Sequence, residues 1–137
     1  MKLKYYLDTA IYLDYYFGRK ERFRPIGDWA YGLLSLIIKE KSTIVMSDFL
    51  LMELETHLQK HEIEAILKPF QDIIENVKYS NKQMQEAKLL ARNRNLPKGD
   101  ALHAVLARDS NAVMVTRDRH FEMLTDIVVI KKPEDII

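Results

Sequence analysis

Asp8, Glu53, Asp100 and Asp118 are the residues of this chain whose type and placement could do chemistry together. Asp8 follows the short aromatic-rich strand Lys4-Tyr5-Tyr6-Leu7, and Asp118 follows the strand expected at Ala112 to Val115. In open α/β sheets ligands bind outside the carboxyl ends of the strands, so these two carboxylates should face one crevice. Asp100 opens a helix reading Asp-Ala-Leu-His-Ala-Val-Leu-Ala, where Ala104 and Ala107 share its face and permit close approach to the sheet. Glu53 lies in the helix after the strand Thr43 to Met46, on the side of that strand's carboxyl end. Four ionised carboxylates ~6 Å apart would repel by roughly 3 kcal/mol per pair at an effective dielectric near 20, so such a site must take up protons or a cation. Oxygen ligands select hard ions, which points to Mg²⁺ or Mn²⁺. Ions of that kind activate water and polarise phosphoryl oxygens, chemistry suited to phosphodiester hydrolysis.

These side chains need a frame. Asp8-Thr9 caps a helix over about Ala10 to Phe17, and a polar, basic loop over 18–25 leads to a second helix, about Ile26 to Glu40. Ser47 caps a helix expected to reach about Lys60, whose apolar face is Leu50, Leu51, Leu54 and Leu58. A further helix is expected through Glu75, kinked or restarted at Pro69, before a minimal strand at Val77 to Tyr79. Ser80 and Gln83 have capping-box spacing for a helix through about Arg94, and a turn over 95–99 precedes the helix starting at Asp100. A short helix near His120 to Leu124 and a strand at Ile127 to Ile130 complete the chain. Short strands alternating with longer helices predict an α/β fold, a parallel sheet covered by helices on both faces.

Bulk properties narrow the class. A length of 137 residues suits one domain, residues 1–137, with a continuous apolar core. Hydrophobic residues make up 47% and charged residues 30%, which excludes a disordered tail or a collagen-like fibre. Lysine plus arginine number 21 against 20 aspartate plus glutamate, so no global positive field drives nucleic-acid binding and any such partner must be gripped locally. The absence of cysteine excludes disulfides, Cys-ligated zinc, iron–sulfur clusters and a thiol nucleophile. The first residues offer no apolar stretch of signal-peptide length, and the apolar run near Ala30 to Ile38 is far short of the ~20 residues of a membrane span. The expectation is a cytoplasmic, unprocessed chain without membrane contact.

The segments Leu7-Asp8-Thr9, Ser47 to Glu53-Leu54, Gly99-Asp100-Ala101-Leu102-His103-Ala104 and Val115-Thr116-Arg117-Asp118-Arg119-His120-Phe121 also occur in the order of the PIN-domain family. The chain resembles that family from end to end, and in particular the VapC-type toxin ribonucleases; the last two motifs are the more specific. The resemblance implies a three-layer α/β/α sandwich around a short, mainly parallel sheet, and a Mg²⁺- or Mn²⁺-dependent endoribonuclease whose catalytic and metal-binding residues match Asp8, Glu53, Asp100 and Asp118. Thr116 matches a strand-end hydroxyl that supports the site, with Thr9 as a second supporting residue. A small antitoxin protein is implied as partner, and a homodimer is compatible with the resemblance. Ala10 stands where the family often has Asn, and Glu55 beside Glu53 leaves open which of the two is the helix ligand.

Other residues are open to plainer readings. Asp8 and Asp100 could be helix caps, a role compatible with metal binding, and Asp118 could be a turn residue paired with its flanking arginines. The run Arg19, Lys20, Arg22, Arg24 could contact phosphates or simply be solvated. Lys98, Arg117 and Arg119, with Arg92 and Arg94, are better placed to give RNA a positive rim because they flank two site carboxylates. His103 and His120 read as supporting or packing residues, since no histidine has the paired spacing with Glu of a zinc helix. Asp14, six residues after Asp8, is left out of the site. Two other functions compete: a catalytically weak PIN-like module that binds RNA or protein, and, further behind, a phosphoryl-transfer domain with an aspartyl nucleophile. Against the second stands the lack of another aspartate two residues after Asp8.

Overall fold

The computed structural model describes residues 3–137, so the first two residues of the expected domain lie outside the described residues. Its centre is a five-stranded, fully parallel sheet in the order β3-β2-β1-β4-β5, formed by β1 Lys4–Leu7, β2 Thr43–Ser47, β3 Ile74–Val77, β4 Val113–Val115 and β5 Ile130–Lys131. The chain runs outward from β1 to β2 and β3, then crosses back to place β4 on the other side of β1. That reversal creates a switch point between β1 and β4, where the carboxyl ends open a crevice. Leu7 pairs with Val115 in register, which sets Asp8 beside Thr116 as the two strands end.

The strands are short, nearly continuous apolar runs because both faces are covered. Tyr5, Tyr6, Leu7, Ile44, Val45, Met46, Met114 and Val115 are all buried. Helices α1 Thr9–Phe17 and α2 Ile26–Glu40 pack as a hairpin. Gly18 takes a left-handed φ of 58°, and the Arg19 N–H bonds the Asp14 carbonyl to close α1 in a Schellman turn. A Cβ at Gly27 would lie 2.8 Å from backbone atoms of Asp14, Gly18 and Arg19, so only glycine permits the hairpin to close there. Helices α5 Asn81–Arg94 and α6 Lys98–Asp109 form a second antiparallel pair, with Ala101, Ala104 and Ala107 buried on α6.

The sequence reading needs correction in the middle of the chain. The helix after Ser47 does not reach Lys60: α3 Asp48–Glu55 stops, and α4 Lys60–Leu67 starts on a new Gln59/Glu62 capping box. Thr56 bonds back to the Glu53 carbonyl through its hydroxyl, and Leu58 turns inward, so the apolar face continues across a helix break. The helix expected through Glu75 ends as a 3₁₀ turn, Lys68–Phe70, and Ile74–Val77 pairs with β2 as a full strand, ahead of the expected Val77 to Tyr79. β5 is Ile130–Lys131 rather than Ile127 to Ile130, the short helix near His120 is a 3₁₀ segment, Arg119–Leu124, and a final turn of helix, α7 Pro133–Ile136, packs on α2. Helix α6 begins at Lys98, so Asp100 lies in its first turn and is not its cap.

Candidate active site

Each acidic residue is delivered by an element end. Asp8 occupies the N-cap position of α1, yet its side chain makes no capping bond. Its Oδ2 instead accepts the Thr116 hydroxyl at 2.9 Å, across the β1–β4 junction. The Thr116 Oγ1 also accepts the Asp118 N–H at 3.0 Å, so one hydroxyl ties two acidic residues into one turn. Asp118 caps the 3₁₀ segment by accepting the His120 N–H, which makes it a turn residue and a member of the crevice at once. His120 Nδ1 stands 3.0 Å from Asp100 Oδ2 and 3.1 Å from Asp118 Oδ1, and one ligand atom from each of the three lies within 4.8 Å of the others.

The charges explain what such a cluster would take up. Burial pushes the Asp100 carboxyl up to about 6, and the neighbouring Asp118 and Asp8 charges add to this while His120 opposes it. The Asp8 carboxyl is likewise raised, chiefly by burial, against the pull of His103 and the Thr116 hydroxyl. Two carboxyls held above their ordinary range beside a third are a site for a proton or a hard cation. The donor set that comes together is the Asp100 and Asp118 carboxylates with the His120 ring nitrogen, which suits a divalent cation, and the predicted Asp8 and Glu53 carboxylates lie outside that group of three.

Glu53 sits at the other end of the crevice, in a different environment. Its Oε1 accepts the Thr9 hydroxyl at 2.8 Å and lies 2.6 Å from His103 Nε2. Burial pushes its carboxyl up, but the His103 and Thr9 contacts outweigh that and leave it below the usual carboxylate range. Thr9 is buried and reaches Glu53 where Thr116 reaches Asp8, so the two threonines support two different carboxylates. Glu55 is exposed and lies beside Lys60, Ile63 and Glu64 along a groove between α3 and α4.

The basic residues separate into two groups. Arg117 lies 4.9 Å over the Trp29 ring and pairs with Glu134 at 2.8 Å, and Arg94 pairs with Asp126 at 2.6 Å, so both charges are engaged. Lys98, Arg92 and Arg119 are exposed and form no ion pair among the described residues. Arg22 is exposed in the α1–α2 loop with φ of 41°. Asp14 is buried and sits 3.6 Å from Arg19, where it belongs to the closure of the hairpin. His103 is the residue the sequence underrated: 1% exposed, it bonds Glu53 on one ring nitrogen and the Tyr6 hydroxyl on the other. Its only sequence signal is a position one helical turn beyond Asp100.

Comparison with known proteins agrees with this fold. No curated protein sequence matches the chain significantly. Among solved structures, the chain is similar to VapBC2 from Rickettsia felis, crystallised bound to a DNA fragment from its promoter, with 23% identity over 95% of this chain and 98% of that one and a TM-score of 0.67. It is also similar to VapBC-1 from nontypeable Haemophilus influenzae, with 19% identity, coverage of 96% and 99%, and a TM-score of 0.65. FitAcB from Neisseria gonorrhoeae aligns at 17% identity over 94% and 97%, with a TM-score of 0.63. These likenesses share the fold, a parallel sheet between helical layers. The family model for the PIN domain matches residues 5–126, which span all four acidic positions, and the chain therefore belongs to the PIN-domain family.

Proposed function

We propose that this chain is a metal-dependent endoribonuclease that hydrolyses RNA phosphodiester bonds, the toxin of a toxin–antitoxin pair. The observation that carries the reading is the Asp100–Asp118–His120 cluster beside the β1–β4 switch point, with Asp8 tied to the Asp118 turn through the Thr116 hydroxyl and the Asp8 and Asp100 carboxyls both held above their ordinary range. Family membership supports it, since PIN domains are typically nucleases that use a divalent metal. Asp8, Asp100 and Asp118 would hold Mg²⁺ or Mn²⁺, with Glu53 as the fourth acidic residue. When bound, such an ion supplies positive charge to a phosphoryl oxygen and lowers the pKa of water. Thr116 holds Asp8 and the Asp118 turn in a fixed relation, so the carboxylates need little rearrangement to receive it. Lys98 and Arg119, both exposed and close in sequence to Asp100 and Asp118, would contact RNA phosphates on either side.

The partner in this reading is a small antitoxin protein, as the VapBC neighbours suggest, and the toxin acts as a homodimer in the cytoplasm. No helix among the described residues is long and apolar enough to cross a membrane. The test is cleavage of a mixed, structured RNA panel by partner-free protein with Mn²⁺ or Mg²⁺, beside a chelator control. Cutting that requires metal and disappears in Asp100→Asn is the expected result. Folded protein that binds no divalent metal would sink the catalytic reading and favour a PIN-like module that binds RNA or protein without chemistry.

A further inference from the structure

Four buried or half-buried groups form one line into the crevice. The Leu50 backbone N–H donates to Ser47 Oγ at 3.0 Å, Ser47 Oγ lies 2.7 Å from the Tyr6 hydroxyl, that hydroxyl lies 2.6 Å from His103 Nδ1, and His103 Nε2 lies 2.6 Å from Glu53 Oε1. Ser47, Tyr6 and His103 are each no more than 1% exposed, and each comes from a different element: the end of β2, the middle of β1 and the second turn of α6. The hydrogen-bond inventory gives the line a direction. A carboxylate can only accept, so a neutral His103 carries its proton on Nε2 and leaves Nδ1 as an acceptor. Tyr6 must then donate to Nδ1, Ser47 must donate to Tyr6, and the Ser47 oxygen accepts the backbone N–H that starts α3. Each proton along the line then has an acceptor, as buried polar groups require.

We infer that His103 is a positioning residue for Glu53, held in the Nε2–H tautomer by the Tyr6–Ser47 pair so that Oε1 is fixed and Oε2 is left for metal or water. Oε1 is already occupied by two donors, Thr9 and His103, whereas Oε2 lies toward Gly99 at the start of α6, 3.6 Å from where a Cβ on that glycine would stand. Rotating the carboxylate would break both Oε1 contacts and leave a buried imidazole N–H unpaired. The cap of α3 and the orientation of its glutamate are thus parts of one network, so the helix cannot register Glu55 in place of Glu53 without losing its N-terminal bond. This inference rests on the nuclease reading only for the role of Glu53; the network stands apart from it.

The test uses the 137-residue chain free of RNA. In metal-free wild type, ¹⁵N histidine spectra should show the Nε2–H tautomer for His103; an Nδ1–H tautomer would overturn the proposal. Mn²⁺ affinity, read by electron paramagnetic resonance, should fall about 10- to 100-fold in His103→Phe, which keeps the ring volume, and recover to within about 3-fold of wild type in His103→Gln, whose amide can still donate to Glu53. The RNA KM should stay within about 2-fold while kcat falls in the Phe variant. Wild-type Mn²⁺ affinity in a folded His103→Phe would show that the residue only packs. If the Phe variant does not fold, the tautomer and the Gln variant decide. Wild type that binds Mn²⁺ but cuts no RNA removes the nuclease reading and leaves the affinity comparison to judge this one, whereas wild type that binds no Mn²⁺ overturns both.

Discussion

In one part of the crevice Glu53 is held by proton donors, and in the other Asp100 faces the Asp118 and Asp8 charges with the His120 ring opposing them. The Thr9 hydroxyl and His103 hold Glu53 below the ordinary carboxylate range against burial, while burial and the charges of Asp118 and Asp8 push Asp100 up to about 6. The first corner is satisfied by the protein itself. The second remains electrostatically unfavourable until a proton or a cation arrives. A site built of two such halves would have one carboxylate oriented in advance and a cluster whose free energy would fall on binding a divalent ion.

Removing the frustrated carboxylate should have the largest effect. Asp100→Asn takes a charge from the cluster and is expected to lower metal-dependent RNA cleavage by about 10²–10³-fold or more while leaving the protein folded. An Asn variant that cuts RNA at a rate near wild type would mean that the raised Asp100 carboxyl marks burial and not a metal site. Neutralising the satisfied corner should cost less: Glu53→Gln keeps the Thr9 contact and is expected to lower cleavage about 10- to 100-fold. Equal losses in the two variants would erase the distinction between the corners.

The two corners should also respond to pH in opposite directions. For Asp100 the folded pKa is raised, so its contribution to stability is fully present below the unfolded value of 3.8 and is lost as pH rises through about 6. For Glu53 the folded pKa is lowered, so its contribution is present above the unfolded value of 4.5 and lost as pH falls through the folded one. Metal-free protein should therefore lose stability at the Asp100 corner between about pH 4 and 7, by roughly 1–2 kcal/mol once the partial exposure of the side chain is allowed for. Thermal melts of wild type and Asp100→Asn against pH measure this directly. The variant should be the more stable at pH 7.5 without metal, and Mg²⁺ or Mn²⁺ should raise the wild-type melting temperature and leave the variant nearly unmoved. A variant that melts lower than metal-free wild type at pH 7.5 would contradict the strained state assigned to Asp100.

The contrast between the corners also explains how much could be read from the residues. Strands β1, β2 and β4 and the paired helices were legible because apolar periodicity, capping residues and glycine positions agree locally. The positions of Asp8, Asp100 and Asp118 near element ends were legible for the same reason, because the pattern already marks those ends. The break between α3 and α4, and β3 itself, were not, because Leu58 keeps the apolar stripe running through a non-helical turn and Ile74–Val77 becomes a strand only by pairing with β2. Glu53 and Thr9 were named from the residues, but the chain of partners that orients Glu53 was not, for a related reason. Tyr6, Ser47, Glu53 and His103 lie on four different elements, and no spacing along the chain reports that they meet.

The smallest expected effect settles the ambiguity that sequence left open at the helix glutamates. Glu55 is two residues from Glu53, which on a helix places it about 200° around the axis. It is exposed on the α3–α4 groove and accepts no hydrogen bond from the Thr9–His103 network, so Glu55→Gln removes a solvated charge and nothing else. Surface changes of that kind fall within about 0.5 kcal/mol, so cleavage rate and Mn²⁺ affinity should stay within about 2-fold of wild type. A loss in Glu55→Gln that matched the loss in Glu53→Gln would mean that α3 rotates or re-registers in the working enzyme. The Ser47 bond to Leu50 would then have to break with it, and Ser47→Ala, which removes that bond in advance, would ease the shift and deepen the dependence on Glu55.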